Sequence, residues 1–509
     1  MFFRNSKCLV CGTPLGYDPE SGEMVSLMHG PEVGVWQRWQ AAIASDEPPA
    51  DEASPPSLED IPGQEQHAAD PQQPMQQQQQ TQYQQQQQQF QQHPALDAAP
   101  ADLTAPQASD VSPAPSPDSR PKPTSPASPT TLPHQGGPLY KRCLNLSTPA
   151  SCNWLVAADD PQDMCRACRL NRTIPDLTDA SMPDNGYLWG LVELAKRRLV
   201  SALIILKLPV KSRRTEDPQR GLVFDFLRSP VNGPHVMTGH NTGLITLNVD
   251  EADDAKREAV RKAMREPYRT LVGHFRHEVG HYYWDRLIRG TPWMEGFHEL
   301  FGDETTNYAA SLKKNYEEGP PSDWPLHYVS AYASTHPWED WAECWAHYLH
   351  MRDAIDTAMS FGLSVDRFDL EFTPFTIDAL YQPDHPDAEQ FLGFLNHWTR
   401  LTTMLNEMSR SMGQQDFYPF VLSHDVVSKL HFIHRVVTSE SWLDEPPPGA
   451  ENAVVDTSPS AMAAPAMDPA PVQQDMAPPP LQSMAPPPAA PADGASGFVQ
   501  NTGITRVPG

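Results

Sequence analysis

The stretch RTLVGHFRHEVGHYYWDRLI, residues 269–288, decides how the rest of this chain is read. It has no proline, and Leu271, Phe275, Val279, Tyr282, Tyr283 and Ile288 recur at mostly helical spacing. That pattern predicts a buried helix with a broad apolar surface. Pro267 marks a break just upstream, and Gly290 with Pro292 ends the helix. Within it stand His277, Glu278 and His281. Residues four apart share a helix face, so both imidazoles can grip one Zn²⁺. Glu278 falls beside the open coordination position, where a carboxylate can accept a proton from water. The plain alternative is a core helix with two satisfied histidines.

Such a site needs a third protein ligand. Glu299, Asp303 and Glu304 follow within the next segment. The stretch HPWEDWAECWAHYLH, residues 336–350, reads as a second amphipathic helix. Pro337 suits its first turn, and Trp341, Trp345 and Leu349 form an i, i+4, i+8 stripe. Glu339 and Glu343 share a face, and buried carboxylates beside tryptophans are costly unless they bind metal or accept hydrogen bonds. Glu339 is therefore the expected third ligand. Glu343 or Asp340 is expected to orient a ligating imidazole from behind.

These motifs resemble the gluzincin group of zinc metallopeptidases. More closely, residues 243–362 resemble a bacterial family of zinc-binding metallopeptidases that carries an N-terminal zinc-ribbon region. The blocks that carry the resemblance are GHFRHEVGHYYWD (273–285), FGDE (301–304), VSAYA (329–333) and HPWEDWAE (336–343). The resemblance implies His277, His281 and Glu339 as ligands of a catalytic Zn²⁺ and Glu278 as the catalytic base. It also places Tyr332 where a tyrosine can stabilise the oxyanion, although Tyr332 reads equally well as an ordinary core residue.

Seven cysteines fall at 8, 11, 143, 152, 165, 168 and 344. No charged-then-apolar leader opens the chain, so a cytoplasmic location is expected and the cysteines read as thiolate ligands rather than disulfides. Cys143, Cys152, Cys165 and Cys168 can close a tetrahedral structural Zn²⁺ site. Cys8 and Cys11 form a zinc-knuckle turn without a nearby partner pair. They read as half of a second structural site whose other pair is missing, as the end of a shortened region, or as recruiting Cys165 and Cys168. In the resembled family a further Cys-x-x-Cys precedes this knuckle. One catalytic and one or two structural zinc ions are thus expected.

The 509 residues include 55 prolines, and much of the chain is too poor in aliphatic residues to form a core. The expected organisation is a first ribbon part (1–44), a disordered Pro/Gln-rich insert (45–139), a second zinc-binding part with four cysteines (140–180), a zincin-like domain (181–443) and a disordered Ala/Pro-rich tail (444–509). The fold class is α+β: a small Cys-rich ribbon region followed by a mostly helical domain with a small sheet. Helices are expected at 185–206, at 254–265 and within 387–440, and strands at 222–227 and 243–249. The 243–249 strand is either an edge that pairs with an extended peptide or an ordinary sheet strand. His424, His431 and His434 read as surface or core histidines.

A net charge of −27 disfavours phosphate neutralisation and hence nucleic-acid binding. No apolar run reaches membrane-spanning length. The sequence points to a zinc-dependent peptidase acting on a peptide or protein substrate. A second reading is an interaction scaffold, in which the ribbon and low-complexity arms recruit a protein partner and the zincin core only holds metal.

Overall fold

A computed structural model of the protein describes residues 5–39, 137–230, 235–264, 266–365, 368 and 370–439. The expected insert up to residue 136 and the expected tail from 444 lie outside the described residues.

The N-terminal part builds an antiparallel five-stranded sheet from β1 (Leu15–Asp18), β2 (Glu23–His29), β3 (Trp36–Arg38), β4 (Leu139–Arg142) and β5 (Leu155–Ala157), in that order. β3 pairs with β4 through Trp36 opposite Tyr140, so segments far apart in sequence join one sheet. Gly16 lets Leu155 of β5 pack closely against β1. A Cβ there would lie 2.5 Å from Leu155 Cδ2, and the neighbouring Tyr17 N–H donates to the Asn153 carbonyl at 3.0 Å.

A second sheet has the order β6 (Asn171–Thr173), β7 (Val223–Leu227), β9 (Leu244–Asn248), β8 (Gly239–Asn241). β6, β7 and β9 run parallel, and β8 is antiparallel to β9. The strand expected at 243–249 forms but is not an edge, because it sits between β7 and β8. Thr242 (φ 46°) and Gly243 (φ 86°) make a two-residue turn with both φ values positive, which folds β8 back onto β9. β6 follows the cysteine region directly and is the first strand of this sheet, so the ribbon and the helical part share a structural element.

Helix α1 (Asn185–Ile205) forms as expected, yet its basic residues are not a solvated face. Lys196 and Arg197 are buried. The Lys196 ammonium contacts Glu193 at 2.8 Å and also donates to Asn171. A buried charge is tolerated only when paired and hydrogen-bonded, and this one is both.

The remaining helices are α2 (Asp254–Met264), α3 (Leu271–Leu287), α4 (Met294–Phe301), α5 (Tyr308–Glu318), α6 (Trp324–His327), α7 (Pro337–Ser360), α8 (Ala388–Ser411) and α9 (His424–Thr438). Helix α3 covers one face of the second sheet: Phe275 packs edge-on against Phe224 and Phe226. One hydrophobic core runs from Tyr17, Trp154 and the cysteines at 143, 152, 165 and 168 through the sheet to α3, α7 and α9. None of the described helices is long and apolar enough to cross a membrane.

Candidate active site

Helix α3 starts at a Thr270 cap, whose hydroxyl accepts the Gly273 N–H at 3.0 Å. The turns that follow set Phe275 and Val279 into the core and leave His277 and His281 on another face. Helix α7 starts with Pro337 behind a His336 cap, whose imidazole accepts the Trp338 N–H at 3.1 Å. The two helices meet at Gly280. A Cβ there would sit 3.0 Å from Ala342 Cα and 3.3 Å from the Ala342 carbonyl oxygen. This close approach carries Glu339 and Glu343 to the two histidines.

The ligand atoms of His277, His281 and Glu339 all lie within 4.8 Å of one another. Glu339 Oε2 is 3.0 Å from His277 Nε2 and 3.6 Å from His281 Nε2. A tetrahedral zinc with bonds of about 2.0–2.1 Å sets its ligand atoms about 3.3–3.4 Å apart, so the spacing suits that ion. The hydrogen bonds around the cluster agree. Glu343 Oε1 can only accept, so the His277 Nδ1 at 2.7 Å carries a proton. In the neutral ring Nε2 is then a lone pair, and it faces another acceptor. Glu339 Oε2 has no hydrogen-bond partner although it is buried. Converging acceptors repel unless a cation lies among them. Burial works against charge on His277, but the carboxylates of Glu339 and Glu343 hold its pKa well above the usual value. Glu339 is likewise held well below the usual carboxylate range, against the effect of burial, by His281 and His277. The pocket thus calls for positive charge at the point where the three side chains meet.

Glu278 lies in the same turn of α3. Burial raises its pKa, and the nearby imidazoles oppose the rise without cancelling it.

Residues 185–436 match a family described as "Putative zinc-binding metallo-peptidase". Residues 123–179 match a zinc-ribbon domain. Uncharacterized proteins of Mycobacterium bovis and of two strains of Mycobacterium tuberculosis are each 43% identical over 297 residues, which covers 58% of this chain and 82% of theirs.

The chain belongs to this zinc-binding metallopeptidase family.

No solved structure matches it. The family's zinc ribbon has a clear counterpart in the four cysteines at 143, 152, 165 and 168. All four are buried, and their sulfurs lie within 4.8 Å of one another. The Cys152 and Cys165 sulfurs are 3.6 Å apart, near the roughly 3.8 Å edge of a ZnS₄ tetrahedron with bonds of about 2.3 Å. Cys165 and Cys168 therefore complete this set and are not recruited by Cys8 and Cys11. The latter pair forms a turn in which Cys8 accepts the Gly12 N–H at 2.9 Å. Hydrogen bonds from Thr13 lower the Cys11 thiol to about 7. Among the described residues no third ligand joins them.

Glu343 Oε1 meets the His277 Nδ1–H. Its second oxygen accepts from the Ser330 hydroxyl at 2.7 Å. Asp340 does not share that role. Its carboxylate meets Lys429 on α9 at 2.6 Å and accepts from the Cys344 thiol at 3.5 Å. One residue along a helix is a rotation of about 100°, so neighbours cannot both face the histidines. Asp303 and Glu304 also lie elsewhere, clustered with His298.

Tyr332 stands beside His277, with ring centroids 6.0 Å apart. Tyr308 lies close to it. Tyr308 in turn donates to Glu339 Oε1 at 2.7 Å, and Oε2 is left without a hydrogen-bond partner.

Sequence reasoning missed Tyr308, Ser330 and His240. Ser330 lay inside a matching block but carried no metal-ligand pattern, and Tyr308 opens a helix that has no motif. His240 sits on β8, which is too short and polar to read as a strand. Its ring stacks on His281 with centroids 6.1 Å apart. Burial, followed by the fields of His281, Arg213 and Arg289, holds its pKa down at about 3.

Proposed function

We propose that this protein is a cytoplasmic zinc-dependent peptidase with one catalytic ion at His277, His281 and Glu339 and one structural ion at the four clustered cysteines. The observation that carries the reading is the meeting of two Nε2 atoms and an unpartnered carboxylate oxygen near a second, half-buried carboxylate, Glu278. A metal-holding scaffold has no need of that fourth group.

A zinc ion bound there supplies Lewis acidity toward a carbonyl and makes water more acidic. The chain does the rest. Glu343 fixes the tautomer and orientation of His277 through Nδ1. Tyr308 occupies one oxygen of Glu339, so that carboxylate presents a single atom. Glu278 accepts a proton from the attacking water and returns it to the departing amine nitrogen. The substrate is a peptide or protein segment.

The test compares zinc-loaded wild type with Glu278→Gln on a peptide library, with metal content measured in both. Wild type should cleave, and the variant should keep its zinc while losing roughly 10²–10⁴-fold in rate. Fully loaded wild type that cleaves nothing the variant leaves intact would remove the proposal. Metal analysis of Glu339→Ala and Cys165→Ser should show one ion lost in each.

A further inference from the structure

The turn that makes β8 an edge strand also fixes the chemistry of His240. The Gly243 N–H donates to His240 Nε2 at 2.7 Å. A backbone N–H can only donate, so Nε2 must be a lone pair. A neutral imidazole keeps its one proton on the other nitrogen, so Nδ1 carries it. No described residue accepts from that N–H.

The strand register places the ring. His240 is directly opposite Ile245, and in β9 Ile245 and Leu247 point to one side. Phe224 and Phe226 pair with those two residues in β7. This is the face that Phe275 of α3 covers. His240 therefore stands on the α3 face at the open edge of the sheet, stacked on His281.

Two donors flank the proposed ligands, Tyr332 beside His277 and His240 beside His281. Tyr332 has Tyr308 as its neighbour, and Tyr308 itself holds Glu339 Oε1. The His240 Nδ1–H is uncommitted.

We propose that His240 is a catalytic residue whose Nδ1–H donates a hydrogen bond to the carbonyl oxygen of the peptide bond being cleaved, where negative charge builds during attack. The assignment rests on the peptidase reading above and gives His240 the task that the resemblance implies for Tyr332. A neutral imidazole suits the task, because it donates without neutralising the carboxylates nearby and its donor is already oriented by the turn.

The experiment uses full-length, zinc-loaded protein and two variants, His240→Phe and His240→Gln. Phenylalanine keeps a ring against His281 but has no donor. Glutamine can accept from the Gly243 N–H and still donate. Two readouts are taken: cleavage of a peptide found in the library screen, and affinity for an N-phosphoryl dipeptide, whose phosphoryl oxygens imitate the developing charge. His240→Phe should keep its metal content and KM within a few-fold, lose about 10²–10³-fold in kcat, and bind the phosphoryl dipeptide correspondingly less tightly. His240→Gln should recover part of both losses. Wild-type kcat and wild-type phosphoryl-dipeptide affinity in His240→Phe overturn the assignment. If wild type cleaves no peptide, the peptidase reading falls by itself, and the affinity comparison still decides whether His240 is a donor to an anionic oxygen. Should His240→Phe fail to fold, His240→Gln beside His240→Ala decides on the same two readouts: equal values in both overturn the assignment.

Discussion

The indole N–H of Trp341 donates to the main-chain carbonyl of Gly280 at 2.9 Å, inside a contact where α7 lies almost against the backbone of α3. That bond ties the helix bearing Glu339 and Glu343 to the helix bearing His277 and His281. The geometry of the proposed metal centre depends on it.

Gly280→Val should therefore disturb the metal site as well as the fold. The added carbons meet Ala342 Cα and carbonyl, which cannot rotate away. A loss of about 1–3 kcal/mol in unfolding free energy is expected from overpacking, with weaker zinc binding at the histidine site. Gly393→Ala in α8 is the control. Its Cβ meets nothing within 4 Å, and removing a helix glycine there should gain about 0.5–1 kcal/mol. Chelator competition and thermal denaturation on both variants check the contrast; equal effects would refute it.

The groups behind the ligands should set metal affinity. Glu343→Ala removes the acceptor of His277 Nδ1, and Tyr308→Phe frees the second oxygen of Glu339. Each should weaken zinc at this site by about 10–100-fold without releasing the ion held by the cysteines. Site-resolved zinc titration tests this, and unchanged affinity in both variants would count against the arrangement.

Asp340 and Lys429 form a buried pair, with side-chain exposures of 1% and 6%. Burial pushes the Asp340 carboxyl up to about 6 although Lys429 opposes the shift. Removing one partner leaves an unpaired buried charge, so Lys429→Met should cost about 3–5 kcal/mol. The double variant Asp340→Leu with Lys429→Met should recover most of that loss. Urea denaturation of the three proteins decides, and additive losses would show that the pair is not coupled.

The cysteine site should support the whole fold rather than a detachable module. Its four residues belong to the same core as Trp189, Phe224 and Val279, and the Tyr17 hydroxyl contacts that of Ser201 on α1 at 2.5 Å. Cys165→Ser should lose the structural ion and lower the single thermal transition of the histidine site with it. A second, unshifted transition would contradict this.

Acid should weaken the protein through buried neutral histidines. Burial holds both His347 and His434 down at about 4. His347 is bonded to the Tyr418 hydroxyl at 2.5 Å, with Glu343 and His350 nearby. His434 meets the Tyr348 hydroxyl at 3.0 Å and feels Asp387, Arg352, His431 and Arg435. Their folded pKa lies below the unfolded value of about 6.5, so the unfolded chain binds more protons between the two. Stability is fully present above about pH 6.5 and is lost as pH falls toward 4, by up to roughly 3 kcal/mol per group. Because acid also strips zinc, the measured quantity is the difference between wild type and His347→Gln in thermal midpoint from pH 7 to 4.5. A difference independent of pH would exclude a role for His347.

Much of this protein is written in local patterns. A periodic apolar surface makes 271–287 helical, and the i, i+4 rule alone puts His277 and His281 on one side. Pro337 marks the start of the second helix, and the cysteine spacing announces a thiolate cluster. These features depend on neighbours along the chain, so the sequence determines them without further help. Which of the candidate acids reaches the histidines does not follow from spacing. That is decided where Gly280 lets α7 pass close to α3, which turns Glu339 and Glu343 inward and sends Asp340 to Lys429. Tyr308, Ser330 and His240 join the site from separate elements, and His240 arrives only because a Thr242–Gly243 turn folds a short strand onto the sheet's edge. Contacts between elements distant in the chain depend on packing and register, and no local periodicity encodes them.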